Sequence, residues 1–128
     1  MNFGILGEAK IAREHVVPAI LNAGHKVTHV GRRIPGQVGL PKIYGNAIET
    51  DYENLINDPS VDAIYNPLPN HLHVPYSIEA LKAGKHVLCE KPVALNLDEL
   101  SQLENAAKDS KAFFYEAFMV RSHPQWHW

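Results

Sequence analysis

The sequence predicts an α/β fold, a parallel sheet with helices on both faces, and two observations carry that expectation. Segments of strand pattern alternate with segments of helix pattern from end to end, without an internal repeat or a low-complexity tract. Such an order implies parallel strands joined by right-handed crossovers. The first apolar segment, about five residues ending at Leu6, runs straight into Gly7. Small and apolar residues then recur at helical spacing as Ala12, Val16, Ala19, Ile20 and Ala23.

The elements follow in order. Gly24 reads as the stop of the first helix, and residues 26–30 as a second strand. Pro18 lies inside that helix, where it removes a hydrogen bond and crowds the preceding turn, so a kink or break is expected near Val17. Residues 34–45 hold Pro35, Gly36, Gly39 and Pro41, which leaves room for a loop or one short turn. Residues 47–49 read as a brief strand. Thr50 and Glu53 then have capping-box spacing, with a short helix to about residue 57.

A turn at residues 58–60 leads to a strand at 61–66, which Pro67 ends. The proline-stiffened loop 67–73 opens a helix at 74–83, with Val74, Ile78 and Leu81 on one face, Pro75 in the first turn and Gly84 at the stop. Residues 85–90 read as the next strand. Asn96 caps a helix whose apolar side is Leu97, Leu100, Leu103 and Ala107, with Asp98 and Glu99 at its positive end. Residues 112–118 read as a final aromatic strand.

Bulk properties bound the function. A chain of 128 residues with 45% hydrophobic and 20% charged content is a single soluble domain with a real core. Its net charge of -2 offers no basic excess, so neither a nucleic acid nor a membrane is an expected partner. No apolar run approaches the roughly 20 residues of a membrane span. The first strand begins at once, so no signal peptide is expected. The single cysteine, Cys89, forms no internal disulfide, packs readily as a small buried strand residue, and fits a reducing, cytoplasmic setting.

In parallel sheets of this kind, ligands bind at the carboxyl ends of the strands. That rule collects Gly7 to Ala12, Arg32, Pro67 to His73, Glu90-Lys91-Pro92 and Arg121 onto one edge. Residues 7–12 read as an incomplete dinucleotide fingerprint, Gly-Glu-Ala-Lys-Ile-Ala, and equally as an ordinary strand-to-helix turn. Arg32, where an NAD-binding unit carries an Asp or Glu, favours a 2′-phosphate and hence NADP over NAD; a solvated loop charge is the plainer alternative. Lys91 can polarise or protonate a substrate oxygen with Glu90 orienting it, or the two form a surface ion pair. The eight histidines lack cysteine or carboxylate companions at ligand spacing, so no metal site is expected. Ser77, Ser101 and Ser122 lack a nucleophile elbow, which argues against a hydrolase.

Three ordered stretches, residues 61–73, 80–92 and 116–125, closely resemble the glucose-fructose oxidoreductase / inositol dehydrogenase (Gfo/Idh/MocA) family, and its sugar and dihydrodiol dehydrogenase branch most of all. The resemblance implies a Rossmann-like NAD(P)-binding domain across residues 1–128. It implies that Gly7, Ala9, Lys10 and Ile11 line the cofactor pyrophosphate and that Arg32 and Arg33 lie near the adenosine ribose. Leu68, Pro69, Asn70 and His73 then border the nicotinamide, Glu90 and Lys91 belong to a Glu-Lys-Pro motif whose lysine reaches the substrate and whose proline bond is commonly cis, and Arg121 lies close to the nicotinamide. The implied reaction is hydride transfer between the nicotinamide and a sugar-like alcohol or carbonyl carbon.

This sequence departs from the family at three places. Ala9 replaces the second fingerprint glycine, the stretch after Arg33 is shorter and has lost its helix, and the family's second, open-sheet domain is absent from these residues. The expectation is therefore a truncated cofactor domain, inactive or nearly so alone, in which His123 and His127 among Trp126 and Trp128 belonged to an interdomain surface. The competing expectation is a non-catalytic nucleotide-binding or interaction module, and association into a homo-oligomer stays geometrically open.

Overall fold

Six short strands, β1 (Asn2–Leu6), β2 (Lys26–Gly31), β3 (Ile48–Thr50), β4 (Ala63–Asn66), β5 (His86–Cys89) and β6 (Phe114–Glu116), form one sheet in the order β3-β2-β1-β4-β5-β6. Every pairing is parallel. The computed structural model describes residues 1–126, so His127 and Trp128 lie outside it. The helices are α1 (Val17–Asn22), α2 (Tyr52–Asn57), α3 (His73–Lys82) and α4 (Leu97–Asp109).

Alternation along the strands divides the core into two layers. Leu6, Ile64, Val87 and Cys89 pack with Leu55 and Ile56 of α2, Val74 and Leu81 of α3, and Leu103 of α4. Ile5, Val30 and Tyr65 point the other way and meet Ala12, Val17, Ile20 and Tyr44. Three helices thus cover one face, while the other has α1 with its preceding turn and a 3₁₀ turn at Lys42–Tyr44. Between β2 and β3 the chain makes only that 3₁₀ turn and no α-helix, in line with the breakers at residues 34–45. Gly31 lets α2 lie close, because a Cβ there would meet the Tyr52 ring at 2.8 Å.

The expected break in the first helix is present in a specific form. Residues Ala12–Val16 make a π-helical turn, in which Val17 N–H donates to Ala12 C=O, and α1 follows with Pro18 in its first turn. Proline has no N–H for the carbonyl four residues back and its ring crowds that carbonyl, and the wider turn relieves both.

Some expectations are corrected. The cap of α2 is Asp51, whose side chain accepts from Asn54 N–H, and not Thr50. Thr50 is engaged in β3, where its carbonyl accepts from Arg32 N–H at 2.8 Å. Asn96 caps α4 as expected, but Leu97 is 79% exposed and takes no part in the apolar side. The strand expected over 61–66 begins at Ala63, and the aromatic strand narrows to β6, leaving Phe113 and Phe118 exposed.

Candidate functional site

The chain runs outward from β1 through β2 to β3 on one side and from β4 through β5 to β6 on the other, so β1 and β4 lie side by side at a topological switch point. A crevice at the carboxyl ends of such strands is where ligands bind. Gly7 stands at its mouth with φ +79°, and its N–H donates to Gly31 C=O at 2.8 Å. A Cβ on Gly7 would press on Leu68 Cδ2 at 3.1 Å, so glycine serves both the turn and the close approach of the loop after β4. The N–H groups of Ala9, Lys10 and Ile11 have no hydrogen-bond partner among the described residues. Ala12, in the third fingerprint position, is fully buried and lets the helix start close to the sheet. Lys10 is exposed, 3.9 Å from Glu14.

The loop after β4 is built around two buried polar side chains. Asn66 Nδ2 donates to His73 C=O at 3.1 Å and to Ser77 Oγ at 3.3 Å, while its Oδ1 accepts from Leu68 N–H. His73, 1% exposed, places Nε2 at 2.7 Å from Leu68 C=O and Nδ1 at 2.8 Å from Pro92 C=O. It therefore ties the loop after β4 to the loop after β5, with both ring nitrogens engaged. Pro69 and Asn70 stand exposed above it.

Glu90, Lys91 and Pro92 follow β5 directly. Glu90 N–H donates to Asn66 C=O at 3.0 Å, and its buried carboxylate accepts from Tyr65 OH at 2.7 Å. Burial, then the hydrogen bond to Glu90, pushes the Tyr65 phenol well above its ordinary range. The Lys91–Pro92 peptide bond is cis and the Lys91 side chain is exposed. Behind them Cys89 is fully buried, and burial pushes its thiol up to about 12. Arg121 lies exposed in the 3₁₀ turn Met119–Ser122, with no side-chain hydrogen bond among the described residues.

Arg32 behaves differently from a free cation at a strand end. Its Nε donates to Glu8 Oε2 at 2.5 Å, Nη2 pairs with the same oxygen, and Nη1 donates to Glu49 Oε1 at 3.0 Å and to Val38 C=O. Arg33 is exposed. Sequence reasoning missed the two carboxylates on Arg32 and the Tyr65 hydroxyl on Glu90. The one signal for the first was Glu8 itself, an acid beside the fingerprint glycine.

A parallel sheet with a glycine turn at its switch point, and polar loops after β4 and β5 along the same edge, defines a Rossmann-type nucleotide-binding domain. The pattern of the oxidoreductase family described as Gfo/Idh/MocA, NAD-binding Rossmann fold, matches residues 1–118. The chain belongs to that family. An oxidoreductase of Rhizobium meliloti is 42% identical over 134 aligned residues, which cover 98% of this chain and 39% of the relative. D-xylose 1-dehydrogenase (NADP(+)) 2 of Haloferax volcanii is 38% identical, covering 97% and 39% respectively. KijD10, a 3-ketoreductase from Actinomadura kijaniata solved with NADP and TDP-benzene, superimposes with a TM-score of 0.90 at 31% identity over 99% of this chain and 40% of its own. The chain thus spans about two fifths of the length of these relatives.

Proposed function

We propose that the chain holds NADP along the carboxyl edge of its sheet, with NAD the weaker cofactor, and orients the nicotinamide for hydride transfer to or from a sugar-like or dihydrodiol carbon. The observation that carries this reading is the meeting of three segments on one edge: the Gly7 turn touches Leu68, and His73 joins Leu68 to Pro92. The residues present fit such a cofactor. Gly7 presents no Cβ, and the unpartnered N–H groups of Ala9, Lys10 and Ile11 suit a pyrophosphate.

The bound cofactor supplies hydride chemistry at its nicotinamide. In this reading Arg32 and Arg33 lie toward the adenosine ribose, while Leu68, Pro69, Asn70, His73 and Arg121 border the nicotinamide side. The ammonium of Lys91 would donate a proton to the substrate oxygen during reduction, and its neutral amine would take the proton of the substrate hydroxyl during oxidation. Glu90, held by Tyr65, orients that lysine or a ribose hydroxyl. The sugar-like substrate class is supported by the names of the relatives. Turnover by these 128 residues alone is proposed to be slow or absent, since they match only part of each relative. A cytoplasmic setting goes with this reading, and no helix among the described residues is long and apolar enough to cross a membrane.

Calorimetric or fluorescence titration with NADPH and NADH tests the proposal. Binding of NADPH, tighter than NADH, is expected. Binding of neither at millimolar concentration would end the cofactor reading, and a preference for NADH would end the role given to Arg32. A second reading, a non-catalytic module that associates with a copy of itself, is favoured by one observation: Phe113, Tyr115, Phe118 and Met119 are all exposed beside an apolar groove. Measured turnover of sugars with NADP displaces it.

A further inference from the structure

The reading of Arg32 as a partner for the cofactor's 2′-phosphate meets an obstacle in this chain. All three guanidinium nitrogens are already engaged, two of them by Glu8 and one by Glu49 and Val38 C=O. The side chain is 13% exposed, so these contacts are only partly screened by water. A 2′-phosphate carries close to two negative charges, and bringing it to this guanidinium places it against two carboxylates. Like charges set together in this way oppose binding unless one of them moves.

The two carboxylates are not equally free to move. Glu49 Oε1 also accepts from Gly36 N–H at 2.8 Å, so it pins the loop after β2. Glu8 hydrogen-bonds nothing but Arg32 among the described residues. It also sits beside Gly7, on the turn proposed for the pyrophosphate, and lines a cleft of about 440 Å³ with Arg13, Arg32 and Gln37. The Tyr44 hydroxyl is the one buried side-chain polar atom among the described residues without a hydrogen-bond partner, and burial first and the Glu8 charge second push it up to about 12. The same cleft therefore holds a second cation, Arg13, and lies within the field that reaches an unpaired hydroxyl.

We propose that Glu8 is a specificity-determining residue that holds down the preference for NADP. Its carboxylate occupies the guanidinium edge that a 2′-phosphate takes, so NADP binds by displacing it, at a cost that narrows the lead of NADP over NAD without reversing it. A 2′-hydroxyl instead donates to Glu8 and leaves the ion pair with Arg32 intact. The inference rests on the reading that Arg32 meets the adenosine ribose, and it adds that the discrimination is set by the acid beside the glycine as well as by the arginine.

Titrating the 128-residue chain, Glu8→Gln and Glu8→Ala with NADPH and NADH at one ionic strength tests this, with circular dichroism matching the variants' fold to the parent. Both variants are expected to bind NADPH about tenfold more tightly, while NADH affinity stays level or falls. A ratio of NADPH to NADH affinity that is unchanged in both variants overturns the role of Glu8 and leaves the cofactor reading standing. A parent chain that binds neither cofactor overturns both.

Discussion

Glu90 brings a carboxylate to the end of a buried strand, and what makes that tolerable is one hydroxyl. Tyr65 and Leu88 are register partners across β4 and β5, and Tyr65 reaches from its own strand to the residue just past the end of the next, 2.7 Å from Glu90. The Tyr65→Phe variant keeps the ring that fills the second core layer and deletes the donor. Leaving a buried acceptor without its partner costs about 1–3 kcal/mol. An unfolding free energy in urea lowered by that much, seen as a lower midpoint at unchanged slope, is the expected result, and an unchanged midpoint would mean that solvent satisfies Glu90 instead. The position of Glu90 could be read from sequence, because strand ends and a Glu-Lys-Pro run are local features. Its partner could not, since an aromatic residue in an apolar run looks like core and its hydroxyl acts across 25 residues of chain. Arg32 repeats the lesson: its place after β2 was local, but Glu8 and Glu49 reach it from 24 and 17 residues away.

The elements themselves were mostly readable, because periodicity, caps and breakers act within a few residues. The exception at α2 shows the limit. Thr50 and Asp51 are both good caps by local chemistry, and pairing of β3 with β2 decides between them by taking Thr50 into the sheet. Asp51 Oδ1 accepts from Asn54 N–H at 2.8 Å and Oδ2 from Asn54 Nδ2 at 2.6 Å. The Asn54 backbone bond above all holds the Asp51 carboxyl below its ordinary value, and the Ser60 hydroxyl does the same for Asp58. A carboxyl with a folded value below its unfolded value of about 4 binds more protons when unfolded. Its stabilisation is complete above that unfolded value and is lost as pH falls through the folded one. The urea midpoint is therefore expected to decline below about pH 4. In Asp51→Asn, which keeps a capping oxygen but cannot titrate there, the decline should be shallower with little change at pH 7. An equally steep acid limb in that variant would assign the decline to other carboxylates.

At the scale of the whole molecule the sheet is covered unequally, with three helices on one face and one helix with two turns on the other. With a 3₁₀ turn at Lys42–Tyr44 in place of a helix, the layer of Ile5, Val30 and Tyr65 is closed by α1 and the turns beside it. Toward β5 and β6 that cover stops, and a groove of about 820 Å³ opens between α1 and the sheet, floored by Leu88 and Tyr115 and walled by Ile11, Ala19, Phe118 and Met119. Phe113, 78% exposed, continues the apolar surface past the groove. Scattered apolar side chains on a surface need no explanation, whereas a contiguous patch of aromatic and aliphatic groups beside a groove attracts apolar probes or other copies of the chain. The folded chain is therefore expected to enhance the fluorescence of anilinonaphthalene sulfonate in native buffer and to show a scattering mass that rises with concentration. Replacing Tyr115 with Thr, which retains strand propensity, and Phe118 with Ser should cut the dye signal roughly twofold or more and flatten the mass curve. A parent chain that scatters as a monomer at every concentration and leaves the dye dark would show that these side chains fold down over Leu88, and that the face is closed by the chain's own residues.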